Sequence, residues 1–197
     1  MLRDGGARSA MLSPVVLYGF DARLRLDAED PQWTQDRRER YLLRPDLPRV
    51  LSVDRLVWPA VPAALTTDGL APDYFSDLGA LRRRCDGAAA IIALAVSEHD
   101  ERARALEIPC QPAEIDPAWR LLGWDVADSG LISGLSNCGF LPDTDVTALR
   151  RDYGPRLNEH GLFRERADAE AFRTLSDARV KEHAPFFVHR ILLVEER

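Results

Sequence analysis

Phe186-Phe187-Val188-His189-Arg190-Ile191-Leu192-Leu193-Val194 is apolar throughout except at His189 and Arg190. Side chains of a strand alternate between its two faces, so those two residues point to opposite sides and every other position on either side is apolar. A strand that is apolar on both faces has to be covered on both. The segment therefore predicts the central strand of a sheet with packed material above and below it.

Upstream, the next elements are helical. Asp168 is expected to open a helix with Ala171, Phe172, Leu175 and Ala178 inward, closed by Glu182 and His183, where a cation suits the helix dipole. Asp143 is expected to cap an earlier helix through Val146, Leu149 and Tyr153, stopped by Gly154-Pro155. Trp119–Ala127 and Ala90–Val96 read as strands. Asp73–Cys85 reads as a helix with Phe75, Leu78 and Leu81 on one stripe, and Glu98–Leu106 as a short charged helix. Asp30-Pro31 starts a further helix that Pro45 ends. The prolines at 45, 48, 59 and 62 then leave room for only a short strand, Val50–Trp58. Val15–Phe20 is a compact β-rich run. The expected fold is α+β: a mixed sheet of about five strands with four or five helices packed on it.

The chain has 197 residues, 46% hydrophobic and 29% charged, which fits one globular domain that needs no disulfide or metal to fold. Residues 1–13 read as a flexible N-terminal arm, with Met11 an alternative start, and 14–197 as a single domain. The apolar stretch Met11–Phe20 lacks a small-x-small cleavage site, and Gly87–Val96 is too short to span a bilayer. The three cysteines, Cys85, Cys110 and Cys138, form no C-x-x-C pair, which suits reduced thiols in a cytoplasm. A net charge of −6 disfavours a nucleic-acid partner. Arg37, Arg38, Arg40 and Arg44, like Arg82–Arg84, read as solvated faces.

No repeat of fixed period is visible. There is one local echo, Leu17-Tyr18-Gly19-Phe20-Asp21 against Leu121-Leu122-Gly123-Trp124-Asp125. Its flanks do not match, and it reads as coincidence between two similarly placed strands.

The compositionally unusual segment is GWDVADSGLISGLSNCGFLP, Gly123–Pro142, between a strand and a helix. Such loops often carry binding and catalytic groups. Gly134 and Gly139 have phosphate-loop spacing, but Phe140 and Leu141 follow where Lys and Ser/Thr are required. A nucleophile elbow needs G-x-S-x-G, and Gly134–Gly139 is one residue too long for it. The dinucleotide fingerprint is absent. An enzyme here would use Cys138 or Ser136 as nucleophile, His160 as base and Asp125 or Asp128 as orienter, with loop N–H groups as the oxyanion site. Trp124, Asp128, Ser133 and Asn137 are the candidate binding residues. A cysteine merely packed in the loop is the preferred reading of Cys138. Asp125, Asp128, Asp143 and Asp145 flank the loop without calcium-loop spacing, so no metal is expected, and no cofactor. His189 in the central strand reads as a hydrogen-bonded core histidine.

Without an intact catalytic motif, the sequence favours a small acidic cytoplasmic protein-binding module. Inhibitor- or immunity-type domains that dock on a basic partner protein are the physical type. A small hydrolase or transferase using Gly123–Pro142 is the alternative. A ligand sensor that grips an anion with the same loop is a third. No membrane association is expected.

Overall fold

The computed structural model describes residues 15–28, 43–62, 75–85, 89–97, 111–112, 115–135 and 146–196. Within them the sheet contains β1 (Val15–Leu24), β2 (Ala89–Ser97), β3 (Gln111–Pro112), β4 (Arg120–Ala127) and β5 (Phe187–Glu196). The spatial order is β3-β1-β2-β5-β4. Four strands are long, and β3 is a two-residue addition beside β1. The helices are α1 (Leu78–Arg84), α2 (Val146–Tyr153) and α3 (Arg166–Arg179). The architecture is α+β, as the patterning predicts, and β5 lies inside the sheet between β2 and β4.

Every pairing between the strands is antiparallel, where a mixed sheet was expected. Val50–Trp58 is not a strand: it is an irregular, largely buried segment without ladder pairing. Its apolar residues made it look β-like. Val50 and Val57 belong to the buried cluster that also holds the inward residues of α2 and α3, whereas Leu51, Val53 and Trp58 belong to the cluster on the opposite side of the sheet. β1 runs on past Phe20 to Leu24, because Asp21 and Arg23 are buried and satisfied instead of ending the strand. Phe75 belongs to no helical stripe. It exchanges both backbone hydrogen bonds with Phe20 (2.9 and 2.8 Å), and α1 begins only after the Asp77 cap.

α2 presents Val146, Leu149 and Tyr153 to the core as its spacing requires, and a 3-10 turn at Gly154–Arg156 ends it. The inward face of α3 is Ala169, Phe172 and Ser176 with Leu175 half-buried, while Ala171 and Ala178 are exposed. The helix starts two residues before Asp168, and its inward stripe runs Ala169-Phe172-Ser176 at i, i+3, i+7, which leaves Ala171 and Ala178 off it. The expected N-terminal arm, the Asp30–Pro45 helix before Leu43, Glu98–Leu106 and Asp143 all lie outside the described residues.

The echo marks equivalent places in the fold. Gly19 pairs with Leu94, Leu94 with Ile191, and Ile191 with Gly123. A pseudo-two-fold axis perpendicular to the sheet, between Leu94 and Ile191, therefore exchanges β1 with β4 and β2 with β5. Both outer strands carry a bulge at the same step, Leu17/Gly19 and Leu121/Gly123. The relation extends beyond the sheet. Phe20 is bridged by Phe75, and Trp124 by Phe163. Val61 N–H donates to Ala22 O (2.9 Å), and Gly134 N–H to Val126 O (2.8 Å). Leu24 N–H donates to Pro59 O (3.0 Å), and Asp128 N–H to Ile132 O (3.1 Å). In each half the bridging phenylalanine is followed by a helix and then an inner strand. The two halves are thus variations on one βαβ arrangement, and both helices, α1 and α3, cover the same face.

Candidate functional site

The opposite face holds a cluster of buried charges. Asp21 and Asp125 are the equivalent residues of the two echoed strands, and both are fully buried. Each accepts from the N–H of the next residue, Ala22 (2.9 Å) and Val126 (2.7 Å). Both then grip the same short segment, Ser52–Arg55. Asp125 Oδ2 accepts from the Ser52 hydroxyl (2.6 Å) and Val53 N–H (3.0 Å), and Oδ1 accepts from the Ser133 hydroxyl (2.9 Å). Asp21 is held by Arg55 through two bonds of 3.0 Å and by Arg23 Nε at 2.6 Å. Arg23, itself fully buried, donates to the carbonyls of Val53 (2.7 Å), Ser52 (3.3 Å) and Trp58, and lies over the Trp58 ring. The irregular segment stays folded because side-chain charges replace the ladder its backbone lacks.

A third carboxylate ties this segment to the Gly123–Pro142 loop. Asp54 Oδ1 accepts from Leu56 N–H (2.8 Å), and Oδ2 from Ser133 N–H (3.3 Å). Burial holds the Asp54 carboxyl above its usual value, against the pull of the Leu56 and Ser133 N–H groups. Asp125 is raised as well, again chiefly by burial, with its four donors pulling it back. Those donors occupy the carboxylate's acceptor positions, so Asp125 is spent on scaffold.

The sequence candidates are distributed as follows. Asp125 and Ser133 belong to this cluster. Asp128 shapes the turn that follows β4, accepting from Ile132 N–H (2.9 Å) and pairing with His183 Nδ1 (2.9 Å). His183 therefore clamps a loop, and does not cap α3 as expected. His160 sits in the turn after Asn158: its N–H donates to Asn158 Oδ1 (2.9 Å) and its carbonyl accepts from Leu51 N–H (2.8 Å). Its ring lies 3.8 Å from Glu159 and makes no bond to Asp125. Burial lowers its pKa, Glu159 raises it, and Arg120 and Arg49 lower it further. Trp124 is half-buried on the helix-covered face beside Arg190. Ser136, Asn137 and Cys138 lie outside the described residues.

His189 is fully buried against the Tyr18 and Phe187 rings. Contrary to the expectation of a hydrogen-bonded histidine, neither ring nitrogen has a hydrogen-bond partner among the described residues. Burial pushes its pKa down to about 4; the Ala127 backbone, outside hydrogen-bond geometry, pulls the other way to a lesser degree. Asp21, Arg23, Ser52, Asp54 and Arg55 belong to the cluster without forming any motif in the sequence. The echo held the one signal for Asp21, since it placed an aspartate at the equivalent step of each outer strand.

No family model, curated protein or solved structure matches the chain. Among the described residues no group of three or more His, Cys, Asp or Glu side chains is placed to hold a metal ion. No described helix is long and apolar enough to cross a membrane.

Proposed function

We propose that this chain is a protein-binding module of inhibitor or immunity type, docking on a basic partner protein. The observation that carries the reading is the Asp54 carboxylate, which pins together two loops that each offer a bare aliphatic side chain to solvent. Leu56 is 69% exposed and Ile132 is 38% exposed. The backbone N–H of Leu56 and that of Ser133, next to Ile132, both donate to Asp54. A pre-ordered apolar pair costs little further ordering on association, and the net charge of −6 suits a cationic partner. Asp125 supports the same reading, because its acceptor positions are filled by structural donors and none is left to orient a base. The hydrolase or transferase alternative, with Cys138 or Ser136 as nucleophile and His160 as base, has to find its orienter elsewhere.

The test is quantitative capture from native lysate, followed by binding of the purified pair. A stoichiometric basic protein is expected, with affinity that weakens as salt rises. The Leu56→Asp, Ile132→Asp double variant, with unchanged circular dichroism, is expected to bind at least about tenfold more weakly. Absence of any stoichiometric partner overturns the reading, and so does undiminished binding by the double variant.

A further inference from the structure

Arg190 differs from the described arginines that sit on carboxylates. Buried Arg23 lies on Asp21, half-buried Arg55 lies on the same carboxylate, exposed Arg156 lies on Asp168 and half-buried Arg166 on Glu170. Arg190 is partly buried on the helix-covered face of β5, and its guanidinium makes no ion pair or hydrogen bond with any described residue. Its Nε is fully shielded from solvent and has no acceptor. What holds the group is the Trp124 ring, whose centroid is 5.7 Å from the guanidinium carbon. Burial lowers the pKa of Arg190, and no carboxylate offsets that burial.

The pseudo-two-fold axis supplies an internal control. It carries Trp124 onto Phe20 and Arg190 onto Ala93. There the same step of the sheet is closed and apolar: Phe20 meets Trp119 edge-to-face at 5.6 Å, and Ala93 is fully buried among Leu81, Ile91 and Leu192. One fold position is thus built twice, once as plain core and once as a partly buried cation on a half-buried tryptophan. A planar guanidinium fork with unused donors fits the two oxygens of a carboxylate or a phosphate.

We propose that Arg190, positioned by Trp124, is a binding site for a small oxyanion, a carboxylate or phosphate. The ligand bonds the guanidinium Nη groups, the end of the fork that is not shielded, and neutralises a charge the fold has partly removed from water. The proposal uses no residue of the Leu56 and Ile132 surface, so either reading stands if the other fails.

The experiment follows thermal unfolding of the full chain at pH 7 and constant ionic strength, as inorganic phosphate or acetate replaces chloride. For the wild-type chain a saturable rise in Tm with at least one of the two anions is expected, with a matching isotherm by calorimetry. Arg190→Met is expected to fold with an unchanged or higher Tm in chloride, because it removes an unpaired cation, and to lose the anion-dependent rise. Arg190→Lys keeps the charge without the fork and is expected to show a weaker, right-shifted response. If Arg190→Met fails to fold, Arg190→Lys against wild type decides. No saturable rise in the wild-type chain overturns the site, as does a rise that Arg190→Met retains or, where that variant does not fold, one that Arg190→Lys leaves unshifted.

Discussion

His189 shows how a single residue sets the behaviour of the core. Its ring is enclosed by Tyr18 and Phe187 and finds no hydrogen-bond partner among the described residues. Burial therefore opposes its charged form, and its pKa falls to about 4 from an ordinary value near 6.5. Between those values the unfolded chain binds the proton that the folded chain refuses. Stability is fully present above about pH 6.5 and is lost as pH falls toward 4, by up to ~3 kcal/mol from this residue. His189→Phe is expected to flatten that acid limb relative to wild type in urea unfolding between pH 7 and pH 4.5. An identical slope in the two proteins would show that other groups set it. The sequence placed this histidine on the correct strand and on the face opposite Arg190. What it did not give was the missing partner, since a periodic pattern reports which way a side chain points and nothing about what meets it.

At the scale of elements, the long strands were legible because each contains a run of apolar residues, near-continuous in β2 and β5, and α2 and α3 because their apolar spacing is helical. Val50–Trp58 was misread for a physical reason. Its valines and tryptophan are buried like those of a strand, but its carbonyls are satisfied by Arg23 and its N–H groups by Asp125 and Asp54. Such long-range substitutions leave no periodic trace. The candidate site suffered from the same gap. Asp125 and Ser133 were singled out for a loop chemistry, whereas their partners lie in a segment more than seventy residues away in sequence. The bulge in β4 has sharper consequences. Gly123 has φ of +146°, and a Cβ there would stand 2.6 Å from Leu162 Cβ and 3.0 Å from the Phe163 carbonyl. Those neighbours belong to the strip that covers the β4 edge through the Trp124–Phe163 bridge, so the backbone itself has to move. Gly123→Ala is expected to destabilise the fold by about 2–4 kcal/mol, combining backbone strain with overpacking. Chemical denaturation would measure it, and a loss below about 1 kcal/mol would mean that the bulge yields.

The whole molecule is organised by the axis between Leu94 and Ile191. The halves share the bulged outer strand, the phenylalanine bridge at its edge, the helix on one face and the inner strand. They differ in that the first half carries the long segment after β1, which crosses to the other half and is held there by Asp125, while Asp21 holds it at home. That shared grip couples the halves beyond the β2–β5 ladder and argues for a single cooperative unit. The symmetry also makes a demand on connectivity. The step from the end of β2 to the start of β4 is the image of the step from the end of β5 to the start of β1. A linker as long as residues 98–119 therefore spans the second gap just as the chain spans the first. A circular permutant that joins 196 to 15 through such a linker and opens the chain between 98 and 110 keeps every described strand pairing. It is expected to fold with the circular dichroism of the parent and one unfolding transition, within a few degrees of the parent Tm. Two transitions would separate the halves. A chain that does not fold would mean that the equivalence stops at the sheet and does not govern how the ends of the strands can be joined.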